Sequence, residues 1–182
     1  MEILRIVVTG GVGAGKTTLI RTISEIDVVD TDRKATDEVG QLKEKTTVAL
    51  DFGRLNIAAN QSLHLYGTPG QLRFDFMWDI LIAKAHAYIL LVDAHRPDHL
   101  RFGRRILNFV NQRMEIPYVI GLTHTDCPDA WEAEDVAIAL GLVDEKARSP
   151  IISVNATCKT SVTQALIALI QEIAEFHQNS TE

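Results

Sequence analysis

The stretch TGGVGAGKTT sets Gly10, four spacer residues, and then Gly15, Lys16 and Thr17. This satisfies G-x-x-x-x-G-K-[ST], directly after the β-branched run ILRIVVTG and directly before the helical pattern KTTLIRTISE, the context that gives the spacing its meaning. Small residues at Gly10, Gly11, Gly13, Ala14 and Gly15, with Val12 the one branched exception, let successive backbone N–H groups curl around a phosphate at a helix N-terminus. Lys16 would place a point charge on the β and γ oxygens. The Thr17 hydroxyl could ligate Mg²⁺, and Thr18 continues the helix. The bland alternative is a glycine-rich turn with an incidental lysine.

A second stretch, LYGTPGQ, ends an alternating strand in a sharp turn and holds Gln71 at its tip, just after Gly70. A third, GLTHTD, places Asp126 at the mouth of the strand PYVIGLT. A carboxylate there can accept from both N1–H and the exocyclic amine of guanine, whereas adenine lacks that donor pair and would leave it unpaired. A loop or helix-capping aspartate explains the spacing equally well. Further on, SVNAT ends the last strand where a backbone N–H could meet the guanine O6.

These residues need elements to hold them, and the chain alternates accordingly. The strands ILRIVVTG, AYILLVDA, PYVIGLT and PIISVN are interleaved with helical stretches. TVALDFGRLNI and SLHLYG read as a hairpin turned by AANQ. Hydrophobic parity changes near Gly53, which predicts a bulge there. Asp129 with Glu132, and Ser161 with Gln164, have the spacing of capping boxes for the last two helices. Gly141 suits a C-terminal cap. Residues 25–46 are polar and weakly patterned and read as a long mobile loop. The expected fold is α/β, a P-loop NTPase with a mostly parallel central sheet, one antiparallel edge hairpin and helices on both faces.

The 182 residues suit a single domain spanning 1–182. The net charge of −6, without a Lys/Arg run, argues against a nucleic-acid partner. Apolar runs are only strand-sized, so membrane insertion is not expected. MEILRIVVTG reads as a strand with no signal peptide ahead of it, Glu2 excludes myristoylation, and QNSTE carries no prenylation cysteine. Cys127 and Cys158 read as reduced thiols, and the expected location is cytoplasmic.

Taken together, the chain resembles the small Ras-like GTPases along nearly its whole length. It is most similar to the prokaryotic branch of gliding-motility polarity (MglA-type) GTPases and their roadblock-associated relatives, on TTVALDFG, LYGTPGQ and the following FDFMWDIL. The resemblance implies binding of GTP and GDP with Mg²⁺, slow hydrolysis, and two switch loops that select a protein effector and a roadblock-type GTPase-activating protein. Thr123, His124 and Asp126 would form the guanine loop, with His124 in place of the family's lysine. Asn155, Ala156 and Thr157 would form the last loop, with the Ala156 amide as donor. Thr47, or its neighbour Thr46, would sense the γ-phosphate through Mg²⁺, making Thr17 and Thr47 the metal residues. Gly70 would sense the same phosphate by its amide, and Gln71 would orient the attacking water, so that Gln71, Thr47 and Lys16 carry the chemistry.

Two departures stand out. Gly67 occupies the position of the family's metal-side aspartate, and Val12 stands where many relatives have glycine. Both imply slow turnover, and Arg73, Arg54 and Arg33 are possible internal arginine fingers. A nucleotide-binding scaffold with negligible hydrolysis, and a P-loop ATPase or kinase with Asp93 as replacement carboxylate, stay open beside the switch. Phe74, Phe76 and Trp78 read as packing residues. His86, His95, His99 and His177 read as solvated or half-buried.

Overall fold

The computed structural model describes residues 2–30, 50–70, 76–144 and 149–179. Five parallel strands, β1 (Glu2–Gly10), β4 (Gln61–Gly67), β5 (Ala87–Asp93), β6 (Tyr118–Thr123) and β7 (Ile151–Ser153), share one sheet with β3 (Asp51–Ala58) and the two-residue β2 (Val29–Asp30). The order is β2-β3-β4-β1-β5-β6-β7, with β3 antiparallel to both of its neighbours. The helices are α1 (Lys16–Ile23), α2 (Phe76–Ile82), α3 (Pro97–Asn111), α4 (Ala133–Leu140) and α5 (Lys159–Asn179). The fold is the expected α/β arrangement.

Period-two side-chain alternation divides the core into two layers. Ile6 and Val8 of β1, Leu63 and Leu65 of β4, and Ile89 and Leu91 of β5 face α1 and α5, where Leu19, Ile20, Val162, Leu166 and Leu169 meet them. Val7, Tyr88, Leu90 and Val92 face the other way, against Trp78, Leu100, Ile106, Leu107 and Val136 of the remaining helices. Trp78 is packed edge-on to Phe102 and Phe109, in agreement with its expected packing role. Each fully buried aliphatic side chain contributes about 1.5–3 kcal/mol, so the sheet's central strands anchor everything attached to their ends.

Several local expectations are corrected. Gly53 lies in regular register opposite Leu65, and the irregularity falls between Asn56 and Ala58. The glycine answers to packing instead: a Cβ on Gly53 would lie 2.6 Å from Ile20 Cγ2, where α1 presses on the hairpin. Asp129 and Glu132 form no capping box. Glu132 itself is the N-cap of α4 and its side chain makes no cap bond. Residues before it are committed to turns, with the Trp131 N–H reaching back to the Ala94 carbonyl at 2.8 Å. Ser161 is not a cap either, since α5 begins at Lys159 and the Ser161 hydroxyl accepts the Asn155 N–H at 2.9 Å. Gly141 does cap α4, at φ 83°. Residues 25–46, expected as loop throughout, contain β2, paired to Phe52 and Asp51. The rest of that stretch lies outside the described residues.

Candidate functional site

Chain order reverses at β1: its neighbours β4 and β5 are joined by a connection that crosses over it, so the loops at the C-terminal strand ends part there. In open α/β sheets this divergence creates a crevice. The segments singled out in the sequence converge on it. Gly10 ends β1, Gly67 ends β4, Asp93 ends β5, and Thr123 ends β6 in register with Asp93.

The loop between β1 and α1 is built from backbone states open to glycine. Gly10, Gly13 and Gly15 adopt φ of 143°, 85° and 96°. At Gly10 a Cβ would lie 2.2 Å from the Leu91 carbonyl oxygen, so the sheet itself excludes any side chain. Lys16 is only 8% exposed, and its Nζ donates to the carbonyls of Gly10 (2.9 Å) and Gly11 (2.7 Å). Burial pushes its pKa down from 10.5 to about 8, although the nearby Asp51 opposes the shift. Gly70 docks directly on this loop, since a Cβ there would approach Val12 N at 2.7 Å and Lys16 Nζ at 2.9 Å. The Thr68 N–H donates to the Val8 carbonyl at 2.9 Å and fixes that approach.

A cavity of about 460 Å³ opens on the other side of the loop. It brings together Gly13, Gly15 and Thr18 with Thr123, His124, Asp126, Asn155, Ala156 and Thr157. Thr123 is the tie, its hydroxyl donating to the Ala14 carbonyl at 3.1 Å. The Thr22 hydroxyl likewise holds the Ala156 carbonyl at 2.6 Å. Among the described residues no hydrogen bond occupies the Asp126 carboxylate or the Ala156 N–H. Asn155 folds back on its own loop, Oδ1 accepting from the Thr157 N–H at 3.0 Å and the Thr157 hydroxyl at 2.7 Å. His124 takes a left-handed φ of 57°, and its Nδ1 lies 3.1 Å from Thr123 Oγ1 and 3.4 Å from Asp93 Oδ2. Asp93 also accepts the His95 N–H at 3.0 Å, a strand-end capping role.

One residue escaped the sequence reading. The Thr17 hydroxyl donates to Asp51 Oδ2 at 2.5 Å. Asp51 stands in register opposite Gly67, and a Cβ on Gly67 would lie 3.0 Å from Asp51 Cβ and 3.1 Å from its Oδ2. A carboxylate thus stands across the hairpin, in the space that Gly67 leaves. The signal was present in TTVALDF, but only the strand register could reveal it.

His99 differs from expectation. It is buried, and its ring packs on Gly11, where a Cβ would lie 2.9 Å from Cε1 and Nε2. Arg54 stands beside His64 on the hairpin, pairing with it in register, and does not line either cavity at the glycine-rich loop. Thr46, Thr47, Gln71, Arg33, Arg73 and Phe74 lie outside the described residues, and so does the side chain of Phe76.

Fold and site together define an α/β nucleotide-binding architecture of small-GTPase-like type. Over residues 26–177 the chain matches the family described as conserved hypothetical ATP binding protein, and it belongs to that family. An uncharacterized protein of Methanocaldococcus jannaschii is 29% identical over 132 residues, covering 72% of this chain and 76% of its own length. ADP-ribosylation factor-like protein 1 of Saccharomyces cerevisiae is 28% identical over 176 residues, covering 94% and 88%. ADP-ribosylation factor-like protein 6 of Caenorhabditis elegans is 24% identical over 184 residues, covering 97% and 90%. These similarities support nucleotide binding and suggest a nucleotide hydrolase.

Proposed function

We propose that this chain is a GTP-binding switch that hydrolyses GTP to GDP slowly and selects a protein effector, and a roadblock-type activating protein, through two switch loops. The observation that supports it best is the one cavity that Asp126 and Ala156 line together, tied by Thr123 to the glycine-rich loop. Its volume is within the usual range for small-molecule sites. Guanine fits these groups: its N1–H and amine donate to Asp126, and its O6 accepts from Ala156. His124, braced by Thr123 and Asp93, takes the place of the family's lysine beside the base.

The glycine-rich loop would present its amides to the β-phosphate. Lys16 would exchange the Gly10 and Gly11 carbonyls for phosphate oxygens. Thr17 and Asp51 form an all-oxygen pair suited to Mg²⁺, a hard cation that keeps several waters. Thr17 and Asp51 would hold the ion, which would supply charge neutralisation to the phosphate oxygens. Thr47 would join it from the first switch, while Gly70 and Gln71 would sense the γ-phosphate and orient water.

An adenine-using reading stands beside this one, favoured by the family description. Titration of the purified chain with GTP, GDP, ATP and ADP, with and without Mg²⁺, while phosphate release is followed, separates the two. Guanine nucleotides should bind at least about 100-fold tighter than adenine nucleotides, because rejection leaves Asp126 unpaired. Asp126→Asn should shift preference toward xanthine nucleotides. Equal affinity for ATP and GTP would remove the guanine reading.

A further inference from the structure

Helix α3 turns one face to the core and lines the other with arginines. Leu100, Gly103, Ile106, Leu107 and Val110 are buried, while Arg101, Arg104 and Arg105, with Arg113 just past the helix, are exposed. No run of basic residues marks them in the sequence; helical spacings of three and four bring the first three together. Two cavities meet there. One of about 500 Å³ reaches from Val12 and Gly70 to Arg101 and Arg105. The other, of about 540 Å³, continues from those two arginines past Arg104 and Phe109 to Arg113. Sharing Arg101 and Arg105, they form one trough along α3. We propose that this trough docks an extended acidic segment of a partner protein, whose carboxylates pair with the arginines while an apolar side chain rests on Phe109. The proposal goes beyond the nucleotide reading and does not depend on it.

Arg101 and Arg104 point to a ligand most directly. Among the described residues neither forms an ion pair or a hydrogen bond, although Arg104 lies beside Gly141, the C-cap of α4. Like charges three and four residues apart weaken a helix, so the fold gains nothing from grouping them. Among the described residues Asp98 is the one carboxylate lining either cavity, and it sits at the far end beside Arg96. The trough also has an ordered apolar lining. Phe102 and Phe109 are half-buried and held edge-on by Trp78. The Arg113 guanidinium stacks 3.8 Å from the centre of the Phe109 ring and pairs with Asp79 at 3.1 Å.

The chemistry and size select the occupant. Every cation along the trough is an arginine, whose planar fork meets a carboxylate with two parallel hydrogen bonds. The field of an anionic membrane, by contrast, draws lysine and arginine alike. Arg101 to Arg113 spans about 18 Å at the helical rise, a distance that about six extended residues cover. Net charge decides against bulkier anions. At −6 the molecule repels a second copy, an anionic membrane or an oligonucleotide as a whole. A slender segment inside the trough lies within about 10 Å of the arginines, where salt does not screen them.

The test uses the full chain and a fluorescein-labelled peptide of about eight residues, glutamates around a central phenylalanine. A second peptide carries lysine for each glutamate. Fluorescence anisotropy at physiological salt should show the acidic peptide bound and the basic one unbound. Arg101→Gln with Arg104→Gln should weaken binding about tenfold without lowering Tm, since like-charge repulsion is relieved. Lys84→Gln with Lys159→Gln removes the same charge from exposed positions elsewhere and should change affinity by less than about twofold. Arg101→Lys with Arg104→Lys keeps the charge and should still lose about threefold, because the fork is gone. An acidic peptide that stays unbound, or that binds the glutamine pair as tightly as the parent, overturns the proposal. So does an equal loss in the Lys84 and Lys159 control, or full affinity in the Arg→Lys pair. A chain that ignores the peptide but uses these arginines to pellet with phosphatidylserine vesicles, retain an oligonucleotide or dimerise gives the face to that occupant, and overturns the proposal as well.

Discussion

At the residue scale, the proposed metal site has Asp51 supply from a neighbouring strand the carboxylate that Gly67 lacks. Nothing local in LYGTPGQ hints at a substitute, because the partner lies sixteen positions earlier and meets Gly67 only through pairing of β3 with β4. The exchange can be tested by reversing it. Asp51→Ala should weaken Mg²⁺ dependence of nucleotide binding by about tenfold, the scale of losing one ligand-orienting group. Gly67→Asp in the same chain should recover part of the loss, since removing the Asp51 carboxylate vacates the space the new side chain needs. Magnesium titrations of the single and double variants measure the coupling.

Lys16 yields a pH prediction at the same scale. In the unfolded chain the amine keeps its proton to about pH 10.4, whereas in the fold it gives it up near 8. Between those values the unfolded state holds the additional proton, so nucleotide-free stability rises with pH across that window. A triphosphate reverses the preference by favouring the charged amine. Binding therefore takes up a proton above pH 8, and affinity should fall by up to about tenfold per pH unit between 8 and 9. Calorimetry in two buffers of different ionisation enthalpy reads the proton directly.

At the element scale, strands and helices were legible wherever periodicity alone decides them. The buried strands AYILLVD and YVIGLT and the stripe Val162, Leu166, Leu169 and Ile173 are examples. Contacts between elements were not legible. Ser161 has the spacing of a cap, but the segment after β7 claims its hydroxyl for the Asn155 N–H. Gly53 is the clearest case. Strand propensity alone would recommend a β-branched residue there. Against that, Ile20 and Ser24 leave no room, and Gly53→Val should destabilise the chain by about 1–3 kcal/mol. Chemical denaturation with an unchanged m-value checks this.

At the scale of the whole molecule, the candidate site is a convergence of strand ends, and a ligand there would clamp α1, the β3–β4 hairpin and the β6 and β7 loops at once. Saturating GTP or GDP at about 100 times Kd should therefore raise Tm by about 5–10 °C, from about 2.7 kcal/mol of linkage. ATP at the same concentration should leave the melting curve nearly unchanged. Among the described residues no helix is long and apolar enough to cross a membrane. The two core layers were foreseeable from alternation along β1 and β5. The crevice was foreseeable only from strand order, which places the segments after residues 10, 93 and 123 side by side.

On the reading proposed above, the cation-holding Asp51 belongs to β3 and the Gly70 segment follows β4, so their separation would be set by inter-strand hydrogen bonds, where a single strand would set it covalently. Cation affinity consequently becomes a gauge of hairpin alignment. Sliding β3 by two residues would carry Asp51 from Gly67 to Leu65 and unload the ion while leaving every side chain on its proper face.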